Sequence, residues 1–185
     1  MRYLLASIFF KVSGWKLKVS DYNMIKGTVM VAAPHTSNWD FPIALFAFWK
    51  MKIPFRYFIK DTYTKSIIGW FFRWTGAIGV NRKKMKNNLV EYAANLLKQN
   101  HDMVILVPAE GTRKRVDRWK TGFYHIAQLA SCNITLGFAD YEKKETGVLK
   151  VLKPTGNFEQ DMKIIEETYK DVKGKYPELY NPKIY

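Results

Sequence analysis

With 185 residues, 48% of them hydrophobic, the chain is sized for one folded domain with a full core and is too apolar to be disordered. Its one cysteine, Cys132, excludes an intramolecular disulfide and a cysteine metal cluster, and its three histidines show no His-x-x-x-His spacing for zinc. Thirty basic against 16 acidic side chains give a formal charge of +14, which calls for a polyanionic surface or partner, nucleic acid or anionic lipid.

Residues 1–12 place Tyr3, Leu4, Leu5, Ile8, Phe9 and Phe10 between Arg2 and Lys11. This run is far shorter than the roughly 20 residues that span a bilayer, and it lacks a small-residue cleavage site. Residues 1–18 therefore read either as an amphipathic helix on a membrane surface or as a helix packed on the domain. No later stretch reaches spanning length, so the expectation is a cytoplasmic protein, peripheral at most. Thr28–Ala33 reads as a buried strand. Residues 41–49 read as a helix too apolar for an ordinary surface.

After Pro54 come a short strand at 55–59, a helix over 63–74 and a strand from Gly76 that ends in the basic run Arg82-Lys83-Lys84-Met85-Lys86. Asn87 or Asn88 can cap a helix through Leu97, and Met103–Val107 reads as a buried strand. Residues 108–113 form a turn, and a helix follows over 122–131. Strands at 134–141 and 148–152 and a helix over 164–172 complete the pattern. Alternating strands and helices predict a single-domain α/β fold, a mixed and largely parallel sheet flanked by helices, with antiparallel pairing towards the end.

Chemistry concentrates where the strand at 28–33 turns into the helix at 41–49, through Pro34-His35-Thr36-Ser37-Asn38-Trp39-Asp40. Open α/β proteins place ligands beyond the carboxyl ends of strands. A tight turn there can fold Asp40 back onto His35, fix the imidazole tautomer and leave the second ring nitrogen to accept a proton. Two plainer readings stand beside this one: Asp40 as an N-cap with Pro42 in the first turn, and His35 as a loop residue. Ser37 reads as a turn or cap residue, and no Gly-x-Ser-x-Gly elbow offers a covalent nucleophile. Cys132, at the end of a helical pattern, reads as a structural thiol. Lys and Arg interleave with aromatics, as at Trp49-Lys50 and Phe71-Phe72-Arg73-Trp74, a composition of membrane–water interfaces. Base stacking would use a similar mixture, but no RNA- or DNA-binding signature accompanies it, so nucleic acid is the less favoured partner.

His35 and Asp40, with four residues between them, followed by Glu110-Gly111-Thr112-Arg113, resemble the glycerolipid acyltransferases, the family of 1-acylglycerol-3-phosphate acyltransferases. Gly76, Ile78, Val80 and Arg82 are similar to the family's second block, and Trp119-Lys120-Thr121-Gly122 to the segment after its third. The resemblance runs from about residue 25 to about residue 142. It departs at Ala109, where the family has proline directly before the glutamate, and at Thr135, where the fourth block has proline.

The resemblance implies that residues 1–185 form one acyltransferase domain with His35 and Asp40 as catalytic residues. Arg82, Glu110, Gly111, Thr112, Arg113 and Lys120 become substrate-binding residues, with Glu110 bonding a glycerol hydroxyl or bracing Arg113. It implies no metal or cofactor, acyl-CoA or an acidic acyl-carrier protein as donor, and a lysophospholipid acceptor, first 1-acyl-glycerol-3-phosphate. The expected place is the anionic inner face of the cell membrane. The alternatives are another acceptor, a lyso-aminolipid or glycolipid, and a non-catalytic basic protein that binds membrane or nucleic acid.

Overall fold

The computed structural model describes residues 1–19, 21–81 and 88–185. Among these, seven strands form one sheet: β1 Lys16–Lys18, β2 Val29–Ala32, β3 Phe55–Lys60, β4 Ala77–Val80, β5 Val104–Pro108, β6 Ile134–Asp140 and β7 Glu145–Leu152. Their spatial order is β1-β7-β6-β2-β5-β3-β4. β6, β2, β5, β3 and β4 run parallel; β7 pairs antiparallel with β6, and β1 pairs parallel with β7. The sheet is thus mixed and largely parallel, as the alternation of elements predicts. β1, three residues long, carries too little pattern to be read from sequence.

Helices cover both faces. They are α1 Arg2–Ser13, α2 Asp40–Met51, α3 Asp61–Thr64, α4 Gly69–Trp74, α5 Leu89–Gln99, α6 Gly122–Ala130 and α7 Phe158–Tyr169. Successive residues of the central strands feed opposite cores. Val29 and Val31 of β2 join Leu97, Phe123, Ile126, Ile165 and Tyr169 on one side. Met30 joins Leu45, Phe48 and Phe55 on the other. Strands buried on both faces need an unbroken apolar run, which is what β2 and β5 have. The apolar character of α2 has a second cause, because α1 lies over its outer side. Phe9 stacks on Phe46 with ring centroids 4.3 Å apart, and Lys50 Nζ donates to Ser7 Oγ at 2.8 Å.

The helix expected over 63–74 is broken into α3 and α4. The Thr64 hydroxyl donates to the Asp61 carbonyl and the Ser66 hydroxyl to the Tyr63 carbonyl, side-chain bonds that compete with helical continuation. The chain then doubles back so closely that a Cβ at Gly69 would lie 2.1 Å from the Thr64 carbonyl oxygen. The apolar spacing of Ile67, Ile68, Trp70 and Phe71 runs across the break and conceals it. α7 begins six residues earlier than the expected 164 because Asn157 caps it, its side chain accepting the Gln160 N–H at 3.1 Å. The capping alternative Asn87 lies outside the described residues.

All five parallel strands end on one side of the sheet, so the segments after β2, β5 and β6 meet there. The chain after α7 returns to the same place. Lys173 accepts the Tyr141 N–H at 2.9 Å, and the Trp119 N–H reaches the Ile184 carbonyl at 2.9 Å.

Candidate active site at the carboxyl end of the parallel strands

β2 gives way through a cis Ala33–Pro34 peptide to the loop that carries His35, and Asp40 opens α2. Within this turn the Trp39 N–H donates to Ser37 Oγ at 3.2 Å, and the Asp40 N–H to the Ser37 carbonyl at 3.4 Å. Ser37 is therefore a turn residue. The turn folds the carboxylate back: His35 Nδ1 lies 3.0 Å from Asp40 Oδ2, which also accepts the Ser37 N–H at 2.9 Å. A carboxylate can only accept, so Nδ1 carries the proton and Nε2 keeps its lone pair. The other carboxylate oxygen, Oδ1, accepts the Tyr141 hydroxyl at 2.7 Å. Asp40 thus has three donors fixing its orientation. Burial, followed by the bond to Asp40, drives the Tyr141 phenol far above its ordinary pKa, so it stays a donor.

Glu110 meets the same loop from the end of β5. Its Oε2 accepts the backbone N–H of His35 at 2.7 Å, and the side chain is buried, with Oε1 lacking a protein hydrogen-bond partner among the described residues. Glu110 therefore braces the histidine's backbone rather than Arg113. Burial raises its carboxyl pKa from 4.5 to about 7, against the opposing effect of the His35 N–H bond.

The folded state holds the Glu110 proton between pH 4.5 and about 7 while the unfolded state has lost it. The contribution is full below pH 4.5 and is lost as pH rises to about 7, a change of about 3 kcal/mol. Glu110→Gln, which mimics the protonated form, should gain stability relative to the parent as pH rises from 5 to 8. Paired urea titrations across that range check it; a constant difference between the two proteins would refute it.

The Glu-Gly-Thr-Arg turn continues from there. Gly111 sits at φ +69°, and a Cβ on it would lie 2.8 Å from Lys120 Nζ, so Lys120 lies across a position that only glycine fills without strain. Lys120 is anchored by its own N–H to the Ala109 carbonyl at 2.8 Å. Thr112 and Arg113 are exposed and line, with Ser37, Trp39, Lys114 and Tyr176, a cleft of about 440 Å³. On the other side of the corner, His35 and Asp40 open onto a narrow, largely apolar crevice of about 50 Å³. It runs past Ala44, Phe48, Met51 and Leu106, between α2 and the sheet. His35 lines the apolar crevice, and the residues that follow it, Thr36 and Ser37, line the basic cleft.

The structure brings His35, Asp40 and Glu110 into one network and sets Gly111, Thr112, Arg113 and Lys120 beside it. Arg82 lies outside the described residues. Sequence reading missed Tyr141 and Thr36, whose hydroxyl accepts the Tyr176 N–H at 3.2 Å. No spacing links residues so far apart in the chain.

A model of the acyltransferase family matches residues 16–136, a span that includes both the His35–Asp40 corner and the Glu110 turn. This chain belongs to the acyltransferase family. Over 119 residues it is 30% identical to the 1-acyl-sn-glycerol-3-phosphate acyltransferase of Streptococcus pneumoniae (strain ATCC BAA-255 / R6), an overlap covering 64% of this chain and 42% of that protein. The match thus spans well under half the length of that curated relative. The crystal structure of the 1-acyl-sn-glycerophosphate (LPA) acyltransferase PlsC from Thermotoga maritima superimposes on 91% of this chain and 75% of its own, with a TM-score of 0.61 at 16% identity. This acyltransferase shares that fold.

Proposed function

We propose that this acyltransferase moves a fatty acyl group from the thioester of acyl-CoA or acyl-carrier protein to the free hydroxyl of a lysophospholipid, with 1-acyl-glycerol-3-phosphate as the first acceptor. The observation that carries the reading is the clamped imidazole, with Asp40 on Nδ1 and Nε2 left as a base, lining the apolar crevice one residue from the Thr36–Ser37 wall of the basic cleft. The two relatives, both named as acyltransferases of a 1-acylglycerophosphate, support the choice of acceptor. Nε2 takes the hydroxyl proton as the oxygen attacks the thioester carbonyl. Asp40 stabilises the imidazolium that results. Collapse of the tetrahedral intermediate breaks the C–S bond, and the departing thiolate takes the proton from the imidazolium. The backbone N–H groups of Ser37, Trp39 and Asp40 are engaged within the turn and so are not free donors for the oxyanion. Arg113 offers the acceptor's phosphate a planar, permanently charged fork. A panel of lyso-acceptors, offered with one labelled acyl thioester to the purified protein, tests the assignment. Fastest turnover of lysophosphatidate supports it; preference for a lyso-aminolipid or glycolipid would replace it.

The reading also places the protein on an anionic membrane surface. Among the described residues no helix is long and apolar enough to cross a membrane. Tyr3, Leu4, Leu5, Ile8 and Val12 of α1 are nonetheless exposed, as are Ile67, Ile68 and Trp70 around α4. Arg2 joins the two groups: it donates to the Trp74 carbonyl at 2.9 Å and lies 4.8 Å from the Trp74 ring centroid. Exposed apolar side chains next to lysines suit the headgroup region. Burying one leucine or isoleucine is worth about 1.5–3 kcal/mol. Leu4→Asp combined with Ile67→Asp should therefore weaken co-sedimentation with phosphatidylglycerol vesicles at least about tenfold. Unchanged sedimentation would remove this face from the account.

A further inference from the structure

The segment after α7 lies beyond the part of the chain that matches the family, yet it is pinned against the catalytic corner. Tyr176 donates its N–H to Thr36, one residue from His35, and Tyr141, which holds Asp40, donates its own N–H to the Lys173 carbonyl. Between them, Gly174 is buried so tightly that a Cβ would lie 2.8 Å from Thr36 Oγ1 and 3.1 Å from Pro34 Cβ. This fit fixes the next residue, Lys175. Its ammonium sits 5.2 Å from the Trp39 ring centroid and 5.8 Å from that of Tyr176, two rings that line the 440 Å³ cleft. An aromatic pair holds a cation in place without neutralising it. Among the described residues neither Lys175, Arg113 nor Lys114 forms an ion pair, although carboxylates elsewhere on the surface do pair with lysines. Two unpaired cations, Arg113 and Lys114, line the open cleft and a third, Lys175, rests on two of its rings, which leaves the cleft short of an anion.

We propose that Lys175, seated on Trp39 and Tyr176, is a specificity-determining cation that selects a phosphorylated acceptor in this cleft, together with Arg113 and Lys114 of its lining. The proposal rests on the acceptor reading above and adds to it a residue outside the matched family blocks. The ligand chemistry is a phosphate monoester on a short polyol. Once the ester is seated on the aromatic-backed ammonium and the guanidinium, its hydroxyl end is free to turn towards the imidazole.

Lys175→Met keeps the aliphatic stem and removes the charge; Lys175→Arg keeps the charge. Steady-state kinetics are measured for lysophosphatidate and for the matching monoacylglycerol, which lacks the phosphate, with one acyl thioester. The expected result is a drop of about tenfold in the ratio of kcat/KM for the phosphorylated over the unphosphorylated acceptor in Lys175→Met, carried by KM, with most of the ratio kept in Lys175→Arg. An unchanged ratio in Lys175→Met would overturn the proposal. Glycerol 3-phosphate binding, followed by NMR titration, separates this outcome from a failure of the acceptor reading. If the protein turns over neither acceptor but binds glycerol 3-phosphate, and Lys175→Met weakens that binding about tenfold, the cation assignment stands alone. Equal affinity in both proteins, or none in either, overturns it.

Discussion

His35→Ala should lower kcat for acyl transfer by about 10²–10⁴-fold while leaving the fold intact. The side chain is 20% exposed and lines the apolar crevice, so removing it takes little from the core. The loop is held by the backbone N–H of residue 35 on Glu110, and alanine keeps that bond. What is lost is the group that removes the hydroxyl proton during attack, an interaction made in the transition state, so the loss falls on kcat and kcat/KM together. Single-turnover assays on the purified variant, with circular dichroism as the folding control, check this. Activity within tenfold of the parent would mean another base does the work, and the assignment of the corner would fail.

Asp40→Asn should cost about 10²–10³-fold in kcat, by a route that the hydrogen bonds on the carboxylate make specific. The oxygen near His35 also accepts the Ser37 N–H, whereas the other faces only the Tyr141 hydroxyl. An asparagine amide satisfies all three neighbours by keeping its oxygen towards Ser37 and His35 and donating its NH₂ to the Tyr141 oxygen. Nδ1 then keeps its proton and Nε2 remains the base, so the variant loses the negative charge beside the imidazolium but not the tautomer. Tyr141→Phe alone should cost less than about tenfold, since the carboxylate keeps its two other donors. Combined with Asp40→Asn, however, it leaves the NH₂ with no acceptor, and the double variant should fall below the product of the two single losses. Simple additivity would show that Tyr141 does not position Asp40.

The strands at the centre of the sheet are legible in the sequence because burial on both faces demands unbroken apolar runs, and Val29–Ala32 and Val104–Leu106 have them. The His35–Asp40 contact is legible because only five positions separate the two residues and a turn can join them. Glu110 is visible as a block, but its bond to the His35 backbone depends on β2 and β5 being neighbours, which no local pattern encodes. Tyr141 and Lys175 are hidden for the same reason, since they reach the corner only through the closing of the sheet and the return of the chain after α7. The apolar excess of α2 is plain in the sequence, yet its cause, the cover provided by α1, is tertiary. The division of residues 63–74 into two helices turns on side-chain hydroxyls and one glycine approach, signals weaker than the apolar period running across them.

Direct transfer is the core of the account, and it is tested by counting products. Purified protein is mixed with acyl-CoA and radiolabelled lysophosphatidate, and free thiol and diacylated product are quantified from the same samples. One thiol released per phosphatidate formed, with release that depends on the acceptor and falls by at least about 100-fold in His35→Ala, is the predicted result. Thiol release at an equal rate without acceptor, or no phosphatidate at all, would contradict it.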